Sequence, residues 1–309
     1  MSLLSAPHFH NERAAYAYVE ARLWPNGPVC PHCGGVERIS AMKGKSTRIG
    51  AYKCYQCRKP FTVKIGTVFE ASHIPMRQWL QVIFLMASSK KGISANQIHR
   101  SLGCTLKTAW FLCHRVREAM AGGALAPFGG GGGAVEIDET FIGWDDDSFA
   151  PRGTIASKMK VMSLVDRTTG QARSFVMKEL SIKAIAPILE AHVSREAHIM
   201  TDEAKTYAGI GWNFAAHGHV NHGRGEYVSK VDPNVHTNTV EGFYSVFKRG
   251  MRGIYQHCSN QHLHRYVAEF DFRYSNRIAL GIDDATRADH LLQGVVGKRL
   301  TYRTTAGQA

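Results

Sequence analysis

Apolar residues recur along this chain with two different periods, and the change from one to the other divides it. Residues 11–24, NERAAYAYVEARLW, form one short amphipathic pattern, with Asn11 placed to cap a helix and Pro25 placed to end it. Residues 59–72, KPFTVKIGTVFEAS, have β-rich composition with a turn at Gly66. From 75 onward the period is helical: Trp79, Val82, Ile83 and Met86 share a face, in a pattern that ends by Gly92. A helix, a break at Gly103 and a second helix follow, with Ser94 and Thr105 as caps and Ile98 and Leu102 pointing inward. Five consecutive glycines, Gly129 to Gly133, then read as a flexible spacer.

Beyond the glycines the pattern alternates in strand fashion. Residues 134–143 predict one strand, 158–170 a second closed by a turn, and 171–180 a return strand that completes a hairpin. Residues 181–194 predict a helix despite Pro187, and 197–207 a short strand running into a loop. Long helices are expected over 235–253 and 261–277, and the polar stretch after 280 carries little signal.

Charge follows the same division. The formal net charge is +13, and residues 30–121 hold fifteen Lys or Arg against three acids, Glu37, Glu70 and Glu118. Residues 122–309 hold 21 against 20, so the cationic character is concentrated ahead of the glycines and points to a polyanionic partner. No apolar run approaches the ~20 residues that a membrane span needs, and the first residues lack the basic start of a secretory signal, so no membrane partner and a cytoplasmic, nucleoid-associated location are expected.

The seven cysteines do not form a disulfide set. Cys30, Cys33, Cys54 and Cys57 fall in two CxxC pairs spaced C-x2-C-x20-C-x2-C, while Cys104, Cys113 and Cys258 are single. Each pair lets two thiolates converge on one ion, and four sulfurs complete a structural zinc tetrahedron. The glycine after Cys33 suits a tight knuckle turn, and His32, inside the knuckle, is expected to be exposed and not a ligand. The helix–turn–helix pattern that follows would present Lys107, Thr108, His114 and Arg115 to a DNA groove.

Candidate chemistry lies in the second half. Asp138 interrupts an apolar strand, where a carboxylate is costly unless it meets a cation, and Asp202 ends a second apolar strand. Asn238, Glu241 and Lys248 share one face of a predicted helix. Two strand carboxylates and that polar face would suit Mg2+ or Mn2+, which prefer oxygen ligands, and metals so held would serve phosphodiester chemistry. Glu139, Glu203 and the triple Asp145-Asp146-Asp147 read as solvated groups, His236 as structural, and His217, His219 and His222 as a glycine-rich loop near the site.

As an ordered set, CPHCG, CYQCRKPFTVKIGTVFE, EIDETFIG, IMTDEAKTY, VHTNTVEGFYSVFKRGMRGIY and HLHRYVAEFDFRYSNR resemble insertion-sequence transposases, which place a zinc ribbon before a DDE-type catalytic domain. The resemblance spans residues 30 to about 277. It implies an α/β, ribonuclease-H-like fold and a triad of Asp138, Asp202 and Glu241, with Asn238 as the competing third ligand and Lys248 trailing as in DDE-K variants. Lys248, with Arg249 beside it, is expected on a DNA phosphate.

The expected partition is an N-terminal helix (1–29), a zinc ribbon (30–72), a helix–turn–helix (75–121), a glycine-rich linker (122–134), the catalytic domain (135–280) and a C-terminal tail (281–309). The expected partners are double-stranded DNA, as terminal inverted repeats and as target, and a second copy of the chain, since pairing two ends requires at least a dimer. The rival readings are a non-catalytic or domesticated DNA-binding regulator and a nuclease of the same fold.

Overall fold

The computed structural model describes residues 2–122 and 126–301, so residues 123–125 of the expected linker and 302–309 of the expected tail lie outside the described residues. The chain divides into two compact units: residues 1–89, 93–121 and 282–309 in one, and residues 90–92 and 122–281 in the other. No helix among the described residues is long and apolar enough to cross a membrane.

The first unit opens with α1 (Glu12–Leu23), whose Asn11 side chain accepts the Ala14 N–H. A three-stranded antiparallel ribbon follows: β1 (Ile39–Ala41), β2 (Tyr52–Cys54) and β3 (Pro60–Phe61). Beyond Phe61 the β-rich composition yields turns, with Gly66 at φ 75°. Little apolar surface holds this ribbon: its buried cluster is Cys30, Cys54 and Phe61, with Trp24 and Tyr52 against it.

The four thiols supply the missing constraint. Cys30 Sγ lies 3.6 Å from Cys57 Sγ, Cys33 Sγ lies 3.7 Å from Cys54 Sγ, and all four sulfurs fall within 4.8 Å of one another. A zinc tetrahedron with Zn–S bonds of about 2.3 Å has edges of about 3.8 Å, so the spacing fits one tetrahedral ion. The Cys57 and Gln56 N–H groups bring the Cys54 thiol down to about 7, whereas, against the Gly35 N–H bond, burial and the neighbouring thiols push Cys33 up to about 12. Gly34, at φ 73°, makes the knuckle turn and donates its N–H to Cys30 O at 2.8 Å, while His32 is exposed.

Three helices follow: α2 (Met76–Ser88), α3 (Ala95–Leu102) and α4 (Leu106–Met120). Trp79, Val82, Ile83 and Met86 are all buried. Pro75 precedes α2 and cannot cap it; Glu12 on α1 does so, accepting the Met76 and Arg77 N–H groups at 2.7 and 3.2 Å. Ser94 and Thr105 cap α3 and α4, and Gly103, at φ 65°, turns the chain between them.

The second unit is a five-stranded sheet between helices. Its strands are β4 (Ala134–Ile142), β5 (Met159–Asp166), β6 (Ala172–Met177), β7 (His198–Thr201) and β8 (Ala216–His219). The order is β6-β5-β4-β7-β8, with β5 antiparallel to both neighbours and β4, β7 and β8 mutually parallel. Counted within the sheet this is 3-2-1-4-5 with the second strand reversed, the ribonuclease-H-like arrangement. Helix α5 (Ile182–His192) and the short α6 (Lys205–Ala208) lie along the chain between β6 and β8, and α7 (Asn238–Gly250) and α8 (Asn260–Ser275) follow the sheet.

Strand alternation feeds both cores. Val135, Ile137, Met162 and Leu164 pack with Ile185 and Leu189 of α5, whereas Ile142, Val161 and Val165 pack with Val240, Phe243 and Phe247 of α7 and Leu263 of α8.

Three expectations from the sequence change. The glycine run is not a spacer. The Phe128 N–H bonds His192 O at 2.8 Å, the Gly129 N–H bonds Asp166 Oδ2 at 3.1 Å, and a Cβ at Gly129 would sit 2.4 Å from that of Ala197. The polar tail holds α9 (Asp284–Gln293), which closes the first unit with Leu291, Leu292 and Val295 fully buried. The histidine-rich stretch expected as a loop supplies β8, an edge strand whose half-exposed, polar residues carry no apolar alternation.

The hinge of the second unit is Glu136, fully buried on β4. Its Oε2 accepts the Thr239 and Val240 N–H groups at 2.8 Å each, and its Oε1 accepts Thr239 Oγ1 at 2.6 Å and Arg167 Nε at 2.5 Å. The start of α7 is thus capped by a strand residue, while Thr237, the local cap position, makes no side-chain cap bond.

Two outcomes follow. Replacing Glu136 with Ala should lower the unfolding free energy by about 3 kcal/mol, read as an earlier urea midpoint, because Arg167 and two helix N–H groups lose their buried acceptor. Replacing Cys54 with Ser should remove the bound zinc, measured as metal released to a chromogenic chelator, and open the ribbon to protease while the second unit stays resistant.

Candidate active site

The sheet register brings two aspartates together. β4 and β7 run parallel with Glu136 opposite Met200. Two residues farther along the same register, Asp138 comes level with Asp202, the first residue past the end of β7. Residues at matching positions of parallel strands face the same way, so the pair is set by backbone pairing and not by side-chain choice. Tyr244 of α7 fixes the level by donating its buried hydroxyl to Asp138 O at 2.6 Å.

A third carboxylate joins them, one that the sequence pattern assigns to solvent. Glu139 is half-buried, accepts the hydroxyl of the fully buried Tyr207, and places an oxygen within 4.8 Å of those of Asp138 and Asp202. Adjacent strand residues point to opposite faces. Glu139 follows Val135 and Ile137 on the α5 side, where Tyr207 also packs. Because β7 ends at Thr201, the edge of β4 is open at this level and Glu139 reaches the aspartates there. A glutamate in phase with two core residues was the available signal.

The electrostatics show what this convergence costs. Burial, with the Glu139, Asp202 and Glu241 charges added, pushes Asp138 up to about 7, against the Glu139 N–H bond that lowers it. Burial and the Asp202 charge push Glu139 up to about 7 as well, against the Tyr207 hydrogen bond. No His or Cys belongs to this three-carboxylate group among the described residues. Three acids crowded so are stabilised by a divalent cation, and an all-oxygen donor set suits Mg2+ or Mn2+.

The structure places the remaining expected residues as follows. Glu241, in the first turn of α7, accepts Thr237 Oγ1 at 3.2 Å and lies 3.4 Å from His222 Nε2. Its charge reaches Asp138, but its carboxylate stays outside the 4.8 Å group. Asn238 is the exposed first residue of α7. Lys248 and Arg249 occupy the last turn, Lys248 half-buried and Arg249 exposed with its Nε on Ser245 O at 3.0 Å. His236 is structural, its Nδ1 lying 3.3 Å from the buried Glu136 carboxylate. Beside Asp202 opens a cleft of about 450 Å3 whose lining includes Trp212, His217 and His219. Asp145 and Asp147 both face Asn260 Nδ2 of α8, at 2.9 and 3.4 Å.

In the first unit, two residues expected in a groove are not available to one. His114 and Arg115 are buried, at 1% and 5% exposure, because α4 is covered all round from Leu112 to Arg117. The Arg115 guanidinium donates to Glu70 O at 2.6 Å and lies against the rings of Trp79 and Phe111. The first turn of α4 presents polar groups outward: Lys107 is exposed, and Thr108 is half-buried against Thr105 Oγ1 at 2.9 Å.

Both halves of the chain are similar to known proteins. Residues 10–60 match a family described as a transposase zinc-ribbon domain, and residues 131–275 match the ISXO2-like transposase domain. Over 284 residues, 86% of this chain and 91% of the relative, the sequence is 28% identical to an uncharacterized protein in transposable element ISH50 of Halobacterium salinarum. Among solved structures, a chain from the cryo-EM structure of the simian T-cell lymphotropic virus intasome in complex with PP2A regulatory subunit B56 gamma aligns at 15% identity and a TM-score of 0.28. That alignment takes in 63% of this chain and 65% of the intasome chain, so it spans less than two thirds of that protein. With both domain families matched in order, this chain belongs to the insertion-sequence transposases that join an N-terminal zinc ribbon to a DDE-type, ISXO2-like transposase domain.

Proposed function

We propose that this chain cleaves DNA at the ends of an insertion sequence and joins the exposed 3′-hydroxyls to target DNA. The observation that carries the reading is the convergence of Asp138, Glu139 and Asp202 at the open edge of β4, in a chain of transposase family. Asp138 and Asp202, level on parallel strands, would hold divalent ions on one side, and Glu139, held by Tyr207, would complete the donor set. Glu241 and Asn238, both in the first turn of α7, would serve as further donors. The chemistry that divalent ions would supply there is activation of the attacking water or 3′-hydroxyl and stabilisation of the leaving oxygen. Lys248 and Arg249 would hold the DNA phosphates beside the cut.

The basic first unit would supply binding to the terminal inverted repeats, with Lys107 and Thr108 at the start of α4 as the groove-facing pair. Pairing two ends calls for at least two copies of the chain, and the substrate implies a nucleoid location.

Strand cleavage by Asp138→Asn and Asp202→Asn should fall on the order of 10³-fold or more, about 4 kcal/mol of transition-state stabilisation, while binding to element ends persists. Titration with Mn2+, followed by paramagnetic relaxation, should show weakened binding in both variants and in Glu139→Gln. Full cleavage by both aspartate variants would remove the enzymatic reading and leave a DNA-binding regulator. Two substitutions in α4 should separate contact from support. Lys107→Ala should weaken DNA binding and reduce the salt slope by about one, whereas Arg115→Ala should lower the melting temperature of the first unit.

A further inference from the structure

We propose that the cleft beside Asp202 holds a single unstacked nucleobase of the DNA end, with the Trp212 indole as its stacking platform. The inference rests on the strand-cleavage reading of the carboxylate site and adds a substrate contact to it.

Trp212 is 90% exposed, although its neighbours Gly211 and Phe214 are buried. This exposure is not the looseness of a surface loop. The turn Gly211–Asn213 is hydrogen-bonded at both ends, Asn213 N–H to Ile210 O at 3.0 Å and Phe214 N–H to Gly211 O at 3.2 Å. It lies flush on β8: a Cβ at Gly211 would meet His217 Nδ1 at 2.3 Å. His217 is itself pinned, its Nε2 lying 2.9 Å from Thr201 Oγ1. A packed framework therefore presents a bare indole at the edge of a cleft that reaches Asp202. An exposed aromatic on a fixed seat, in a basic DNA-processing protein, is a stacking surface.

The lining selects the ligand class. The cleft, about 450 Å3, is large enough for one ring system and its sugar. Among the described residues that line it there is no Lys or Arg, while Asp202 and Glu203 contribute two carboxylates. Glu203 is already engaged by the His222 and Gly223 N–H groups at 2.9 and 3.1 Å. A neutral planar base would find an indole face and polar edges there. Cutting beside Asp202 brings the backbone of the DNA end to that point, and a base swung out of the stack at the cut has this cleft as its nearest receptacle.

The test uses the full chain with its zinc and no added Mg2+ or Mn2+, titrated with two short duplexes. They are identical except that a terminal 2-aminopurine is paired in one and unpaired, on a frayed end, in the other. The chain should bind the frayed duplex about tenfold more tightly and quench its 2-aminopurine emission. Trp212→Ala, folded by circular dichroism, should bring that ratio close to one, and Trp212→Phe should restore most of it. A ratio of one in the unsubstituted chain, or an unchanged ratio in Trp212→Ala, overturns the pocket. A pocket that fails while cleavage still depends on Asp202 fails alone; cleavage indifferent to Asp202→Asn overturns the strand-cleavage reading beneath it.

Discussion

Glu136 has no exposed surface, and its two carboxylate oxygens carry the start of a helix 103 residues away in sequence. A charge buried in this way is tolerable only when every lone pair is used, and here two helix N–H groups, a threonine hydroxyl and Arg167 use them. Because Glu136 sits two residues before Asp138 on one strand face, the bond that starts α7 also sets where Glu241 stands relative to the aspartates. Tyr244 repeats the link one turn later, on the carbonyl of Asp138 itself. The geometry of the acidic site is therefore a consequence of how α7 is tied to β4.

The same economy appears in the first unit, where Glu12 of α1 caps α2 in place of a local residue. In both units a glutamate from an earlier element supplies the first turn of a later helix. Such a cap contributes local helix stability and also fixes the position of one element against another, which a Ser or Thr cap from the adjoining residue cannot do. Arg115 belongs to this group of supporting charges. Its guanidinium holds a turn carbonyl and covers two aromatic rings, so its cation serves the core of the unit.

The two candidate metal centres differ in what they ask of an ion. The four thiols close a complete tetrahedron around a ribbon with hardly any apolar core, so the ion there is part of the fold. The three carboxylates sit on a sheet already secured by two hydrophobic clusters, so the fold does not depend on a cation at that place. There an ion would offset the cost of burying carboxylates side by side, a cost that shows in the upward displacement of Asp138 and Glu139, caused first by burial and then by the neighbouring charges. The three carboxylates are positioned by backbone pairing and by Tyr207, without help from an ion.

The sequence by itself determined whatever is local. The CxxC spacing, the caps at Asn11, Ser94 and Thr105, the helical faces of α2 and α7, and the β5–β6 hairpin are properties of short windows, and each stands where its window put it. Asp138 and Asp202 were also legible, since a carboxylate in or after an apolar strand conflicts with its surroundings. What the tertiary structure decided depends on partners far along the chain. The parallel register made Asp138 and Asp202 level, and an early end to β7 admitted Glu139. Coverage of α4 on all sides turned His114 and Arg115 inward. β8 and α9 formed from polar stretches because an existing sheet edge and an existing helical core offered pairing and burial. Periodicity reports which face of an element is apolar, but not which elements meet; that is settled only when the buried surfaces and the unsatisfied backbone groups find each other.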